Sequence, residues 1–266
     1  MKHYSLEDRS IVIIGGTTGL GLSAAQACLR AGARVVACGR NADSAAAAEQ
    51  SLGENSRVFV GDATDSQTAD KAIRLALDSF GRFDALYHVA GGSGRQAGDG
   101  PLHQLSDEGI ETTLRLNLVS LIYSNRAAAR SFLDRGVGGA VLNMGSVLGA
   151  SPSPQFFGTH VYAAAKSAVI GFTKSCAAYY ASHNIRFNVV APGLVDTPMA
   201  QRAVGNETIQ RFVRGKQPLD GGRVGQPDDL DAAVVYFLSD DSRFVTGQVL
   251  AIDGGWTVSE GAVRDE

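Results

Sequence analysis

The stretch Ile11-Val12-Ile13-Ile14-Gly15-Gly16-Thr17-Thr18-Gly19-Leu20-Gly21 decides the fold. Four consecutive β-branched residues without polar alternation read as a strand buried on both faces, as in a parallel sheet. A glycine-rich turn follows, and then Ala24, Ala25, Ala27, Cys28 and Leu29 fall at helical spacing. Such a turn lets the backbone approach a pyrophosphate, whose charge the unpaired N–H groups of the helix start stabilise. Gly15, Thr17, Thr18, Gly19, Leu20 and Gly21 are the expected phosphate-binding residues; the competing reading is a plain strand-to-helix turn.

Outward from this unit the same alternation continues. A second strand, residues 33–38, ends at Gly39-Arg40, where dinucleotide-binding units choose between ribose forms. A carboxylate would bond the ribose 2′-hydroxyl, whereas Arg40 can pair with a 2′-phosphate. NADP(H) is therefore favoured and NAD(H) kept open, since Arg40 also reads as a solvated loop residue. A helix over 42–51 precedes the third strand, residues 57–61, which ends at Asp62-Ala63-Thr64. Asp62 either meets the adenine amino group or caps the next helix; Ala63 is expected beside it at the cofactor. The fourth strand, 85–89, closes on Ala90-Gly91-Gly92, leaving room for a cofactor to cross, and the glycine-rich loop 93–101 carries Arg95.

A helix over 106–135 is expected, with Leu114, Leu118, Leu121 and Ile122 inward and Gly136 as its stop. Asn117 sits among those leucines, either as a structural bridge or as part of a proton path. The fifth strand, 140–144, places Ser146 at its carboxyl end. Tyr162 and Lys166, four residues apart on the next helix, share a face, so phenol and ammonium point into one cleft. A neighbouring cation favours the phenolate and makes a proton-transfer pair, with Ser146 holding the substrate oxygen. The sixth strand, 185–191, ends at Pro192-Gly193, and residues 194–222, which show little periodicity, read as a mobile lid. A helix over 227–238 and a strand over 249–252 complete an open parallel sheet covered on both faces.

Composition narrows the function. With 266 residues, 44% of them hydrophobic, the chain can bury a large core, and one domain over 1–266 is expected. A formal net charge of −3 gives no basic footprint for nucleic acid and suits a small neutral or anionic substrate. Cys28, Cys38 and Cys176 are odd in number and lack metal-ligand spacing, which fits buried thiols in a reducing cytosol and no metal. The segment Met1–Asp8 has no apolar core, and no run of about 18 apolar residues occurs, so secretion and membrane spanning are not expected and a cytoplasmic location is.

Together the motifs resemble the short-chain dehydrogenase/reductase family in its single-domain form, in order and over nearly the whole chain. The resemblance rests on Gly15, Gly19, Gly21, Asp62, Ala90-Gly91, Asn117, Ser146, Tyr162, Lys166, Pro192-Gly193, Thr197 and Asp253-Gly254-Gly255. It implies a seven-stranded Rossmann-type, doubly wound α/β sheet and the catalytic set Asn117, Ser146, Tyr162 and Lys166. It further implies nicotinamide contacts from Pro192, Gly193, Val195 and Thr197, and cofactor contacts from Tyr162 and Lys166. A homo-oligomer, dimer or tetramer, is implied through the helix near residue 117 and the Tyr162 helix. Three departures stand out: Ile14 replaces the usual threonine, His88-Val89 replaces Asn-Asn, and the interval from Ser146 to Tyr162 is long. His88 is expected to be a satisfied buried histidine.

The expected activity is hydride transfer between NADP(H) and a secondary alcohol or ketone, bulky or cyclic. Leu148, Phe156, Phe157, Leu194 and Met199 would supply apolar walls, with Arg95 and His160 as polar contacts. Two other readings stay open: a nucleotide-binding sensor or scaffold without turnover, and a redox-neutral epimerase or dehydratase of the same family.

Overall fold

The computed structural model describes residues 5–261, so Met1–Tyr4 of the segment read for a leader, and the last five residues of the expected domain, lie outside it. Seven strands form one wholly parallel sheet: β1 Ser10–Ile14, β2 Arg34–Gly39, β3 Ser56–Val60, β4 Ala85–His88, β5 Gly139–Met144, β6 Ile185–Pro192 and β7 Val249–Ile252. Their order is β3-β2-β1-β4-β5-β6-β7.

The unbroken apolar run of β1 is explained by its two burdens. Ile11 and Ile13 join a core with Ala24, Ala25 and Cys28 of α1 (Gly19–Arg30) on one face. Val12 and Ile14 join the opposite core, with Ala72, Ile73 and Ala76 from Thr68–Phe80 and Ala127, Ala128 and Phe132 from Ser120–Asp134. Alternate residues thus bury against helices on both sides. We number the helices α2 Ala42–Leu52, α3 Thr68–Phe80, α4 Asp107–Leu114, α5 Ser120–Asp134, α6 His160–Tyr180, α7 Gln201–Val204, α8 Glu207–Lys216 and α9 Asp231–Leu238.

The chain order reverses between β1 and β4, opening a crevice at their carboxyl ends. Gly15 and Ala90 meet there so closely that a Cβ on Gly15, whose φ is +91°, would lie 2.6 Å from the Ala90 nitrogen. Gly21 packs on the same turn, its missing Cβ 1.9 Å from the Gly15 carbonyl oxygen.

The long helix expected over 106–135 runs from Asp107 to Asp134 and changes its winding partway. Ser106 caps α4 by accepting a hydrogen bond from the Gly109 N–H at 3.0 Å, but a π-helical turn, Arg115–Val119, separates α4 from α5. The inward face also differs. Only Leu121 of the four expected apolar residues is buried; Leu114, Leu118 and Ile122 are half-buried, and Thr113, Asn117, Ser120 and Ser124 face inward. For Ser120 and Ser124 the reason lies on the facing strands, because the carboxyl ends of β4 and β5 present polar groups. His88 Nδ1 lies 2.9 Å from Ser124 Oγ, and Asn125 exchanges hydrogen bonds of 2.8 and 2.9 Å with Asn143. Polar residues on the helix satisfy polar residues on the strands.

The stretch 194–222, expected to lack periodicity, contains α7 and α8. Asn206 caps α8 through the Ile209 N–H at 3.0 Å, and Ile209 and Val213 are buried beneath it. Among the described residues no helix is long and apolar enough to cross a membrane.

Gly21→Ala forces a methyl group into the Gly15 carbonyl. Thermal denaturation is expected to show a loss of about 1–3 kcal/mol in stability; an unchanged midpoint would contradict this packing.

Candidate active site

A cavity of about 800 Å³ runs along the carboxyl ends of the strands, from Arg40 and Asp62 at one end to Met199 and Arg202 at the other. Ser146 is the second residue past β5. Its hydroxyl accepts the Leu148 N–H at 3.2 Å, which fixes it over a short 3-10 turn. Tyr162 and Lys166 rise from the first two turns of α6, and all three side chains line the cavity.

Lys166 is 3% exposed, and its ammonium donates to the Met144 carbonyl at the end of β5 over 2.9 Å. The same nitrogen lies 5.6 Å from the centroid of the Tyr162 ring. Burial pushes its pKa down to about 8. The expected lowering of the phenol does not follow. Burial pushes Tyr162 above the ordinary phenol value, and its hydrogen bond with Ser146 offsets this only in part. Desolvation outweighs the cation, whose proton is directed at a carbonyl rather than at the phenol oxygen. Tyr162 is therefore protonated at neutral pH.

Asn117 lies in the π-helical turn and acts as a bridge. Its Nδ2 donates to the carbonyls of Gly92 at 2.8 Å and Thr113 at 2.9 Å, and its Oδ1 accepts the Gly92 N–H at 3.1 Å. It also sets the space beside Gly91, where a Cβ would fall 2.8 Å from Asn117 Oδ1 and 3.6 Å from Lys166 Nζ. His88 is fully buried, and burial together with the Lys166 charge pushes it down to about 3, so it is a neutral, hydrogen-bonded histidine.

At the other end, Asp62 accepts the Thr64 N–H and hydroxyl, each at 2.8 Å. Burial alone would raise its pKa, but these bonds, with Arg40 and Arg115 nearby, hold it below the usual carboxylate range. It thus caps the local turn and still faces the cavity. A side chain at Gly39 would place Cβ 1.9 Å from Thr17 Oγ1, so this strand end has no room for a carboxylate.

Gly15, Thr17, Thr18, Gly19, Leu20, Arg40, Asp62, Ala63, Ala90, Gly91, Pro192, Gly193, Val195 and Thr197 all line the cavity; Gly21 does not, and serves the turn's packing instead. Of the substrate candidates, Arg95, Leu148, Phe157, Leu194 and Met199 line it. Phe156 turns away to meet Phe212 at 5.0 Å between centroids, and His160 is an exposed residue at the start of α6 outside the lining.

Four residues that pattern reading did not assign complete the site. Asp99 is 2% exposed and accepts the N–H groups of Val161 at 3.1 Å and Tyr162 at 2.8 Å, tying the start of α6 to the loop after β4. A carboxylate there also complements the helix dipole. Gln217 pins the bend after β6, accepting the Leu194 N–H at 2.6 Å and donating back to the Leu194 carbonyl at 3.2 Å. Trp256, the one tryptophan of the chain, and Arg202 of α7 both line the cavity. Neither distance in sequence nor periodicity signals any of the four; Asp99 caps a helix far along the chain, and not the one its own loop precedes.

Removing the Asp99 carboxylate frees two N–H groups, those of Val161 and of Tyr162, which carries the phenol. Asp99→Ala is expected to cost about 1–3 kcal/mol in stability and to lower kcat more than cofactor affinity. Calorimetry checks the first, and cofactor titration beside a turnover assay checks the second. The depressed Lys166 value gives a pH test. Its charge is disfavoured in the fold, a cost fully present below pH 8 and relieved as pH rises from about 8 toward the ordinary 10.5. Lys166→Met is therefore expected to be more stable than wild type at pH 7, on the order of 1–3 kcal/mol. The gap should close across that window, and parallel stability curves would contradict it.

Comparison with known proteins agrees with this geometry. A family model described as enoyl-(acyl carrier protein) reductase matches residues 15–257. The 3beta-hydroxysteroid dehydrogenase 2 of Eggerthella lenta is 32% identical over 260 residues, 95% of this chain and 96% of that protein. The 2-(S)-hydroxypropyl-CoM dehydrogenase 3 of Xanthobacter autotrophicus is 34% identical over 259 residues, 95% of this chain and 98% of that protein. The solved structure of a short-chain type dehydrogenase/reductase from Mycobacterium ulcerans matches with a TM-score of 0.88 and 30% identity, covering 96% of this chain and 92% of that one. With the glycine turn at the crevice and Ser146, Tyr162 and Lys166 around one cavity, this chain belongs to the short-chain dehydrogenase/reductase family of NAD(P)-dependent oxidoreductases.

Proposed function

We propose that the protein is an NADPH-dependent reductase of a ketone to a secondary alcohol, with Tyr162 as the proton donor. The shared geometry carries this reading: Ser146 and Tyr162 are joined by a hydrogen bond and line one cavity with Lys166, so a hydroxyl and a neutral phenol can meet the same carbonyl oxygen, to which the phenol gives its proton. The cavity suits a dinucleotide, because Gly15, Gly39 and Gly91 line it where the chain packs too closely for any side chain, which leaves bare backbone for a ligand to approach. When bound, the nicotinamide supplies the hydride.

The chain's own residues do the rest. Ser146 and Tyr162, which share a hydrogen bond, converge on the position of the substrate oxygen. Lys166 holds its ammonium beneath them through Met144, ready to bond a ribose hydroxyl. Asn117 fixes the Gly91-Gly92 backbone along which the cofactor would pass. Arg40, at the cavity end where Gly39 excludes a carboxylate, would pair with a 2′-phosphate. Residues 194–222 would serve as the lid, with α8 as its apolar-faced part. A homo-oligomer is supported by the half-buried Leu114, Leu118 and Ile122, which with Ala164, Ala168 and Phe172 of α6 offer an apolar face for helix pairing. A cytoplasmic location fits the same reading.

Titration with NADPH and NADH, followed by nicotinamide fluorescence, tests this. NADPH is expected to bind more tightly, and Arg40→Ala to weaken it about tenfold or more while sparing NADH. Tyr162→Phe should bind NADPH as wild type does and reduce ketones about a hundredfold more slowly or worse. Tighter NADH binding indifferent to Arg40 would overturn the cofactor preference.

A further inference from the structure

Of the residues lining the cavity, four are cations, Arg40, Arg95, Lys166 and Arg202, and one is an acid, Asp62. Two of the cations have work in the cofactor reading: Arg40 at the ribose end and Lys166 beneath the phenol. Arg95 and Arg202 are left over. They come from separate elements, the 3-10 turn Gly94–Ala97 after β4 and the short helix α7, yet they face the same mouth as Leu148, Phe157 and Met199.

Neither is neutralised by the protein. No ion pair among the described residues includes either guanidinium, and the one side-chain hydrogen bond from the pair runs from Arg202 Nη2 to the Phe156 carbonyl at 3.1 Å. The carboxylates of the neighbouring loops are engaged elsewhere. Asp99 holds the α6 backbone, and Asp196 accepts the Gln201 amide at 2.9 Å. Burial, and then repulsion from Arg95, push the Arg202 pKa down, so the two charges sit close enough to oppose each other. Like charges converging without a counter-charge cost free energy that an anionic ligand would return.

We propose that Arg95 and Arg202 form an anion subsite at the cavity mouth, so that the substrate is a ketone, or its secondary alcohol, that carries an oxoanion such as a carboxylate. The Arg202 hydrogen bond to Phe156 leaves most of its donors directed elsewhere, and two guanidiniums can grip an oxoanion from two sides. Leu148, Phe157 and Trp256, which pack in one cluster and line the same cavity, would take the carbon skeleton between anion and carbonyl. This subsite rests on the reductase reading, because the position of the carbonyl comes from Ser146 and Tyr162.

The single tryptophan provides the readout, since Trp256 lines the cavity on the substrate side. Protein saturated with NADPH is titrated with benzoate, phenylphosphonate and the neutral isostere benzamide, following tryptophan fluorescence with direct excitation. At least one anion is expected to bind about tenfold or more tightly than benzamide, weakening as salt is added. Preference between benzoate and phenylphosphonate tells a planar from a tetrahedral anion. Arg95→Gln and Arg202→Gln should each abolish that preference while leaving benzamide and NADPH affinity unchanged.

Benzamide binding as well as both anions, anion binding indifferent to both substitutions, or no binding of either anion at its solubility limit would each overturn the subsite. Loss of NADPH affinity in the variants would overturn it too, by assigning the arginines to the cofactor. In the wild type, NADPH binding is measured in the same experiment. Failure of the subsite with NADPH bound therefore leaves the reductase reading standing, and failure to bind NADPH removes both.

Discussion

A buried ammonium needs an acceptor, and in this protein Lys166 finds one in the backbone carbonyl of Met144. That bond ties α6 to the end of β5, two residues before Ser146. It holds phenol, hydroxyl and ammonium within one cleft, where burial sets their protonation. Lys166 loses part of its affinity for the proton and Tyr162 gains some. The pair expected from sequence as cation and phenolate is thus, in this cleft, a softened cation beside a neutral phenol. Asp99 secures the other end of the arrangement, taking the first free N–H groups of α6.

Much of this architecture is legible in the sequence because it depends on local rules. The β-branched run of β1, the glycine turn and the repeated strand-helix alternation fix a parallel sheet, since only strands buried on both faces carry no polar alternation. What misleads is the assumption that apolar residues always turn inward. Along this helical stretch Ser120 and Ser124 turn inward to meet His88, Asn125 pairs with Asn143, and Asn117 holds the Gly92 backbone. The π-helical turn at Arg115–Val119 was equally hidden, as it shifts helix phase without a glycine or proline to mark it.

The site divides along the same line. Ser146, Tyr162 and Lys166 are readable because spacing along one helix and one strand end fixes them. Asp99, Gln217 and Arg202 are not, since each reaches the site from a loop or short helix whose place depends on the whole fold. His160 and Phe156, expected as a polar contact and an apolar wall, show the reverse: the helix start leaves His160 exposed, and Phe156 packs against Phe212.

Charge gives the cavity its direction. Arg40 and Asp62, Lys166, and Arg95 with Arg202 all line it, and in the proposed reading they serve the nucleotide, the reacting centre and the substrate anion in turn. The most direct test of the account is a crystal structure of the protein with NADP⁺ bound. The account predicts the 2′-phosphate against Arg40, the pyrophosphate over the Gly15–Gly21 turn, and a ribose hydroxyl on Lys166 Nζ, with the nicotinamide facing Tyr162. A dinucleotide bound with its nicotinamide away from Tyr162 and Ser146, or with its 2′-phosphate away from Arg40, would contradict it.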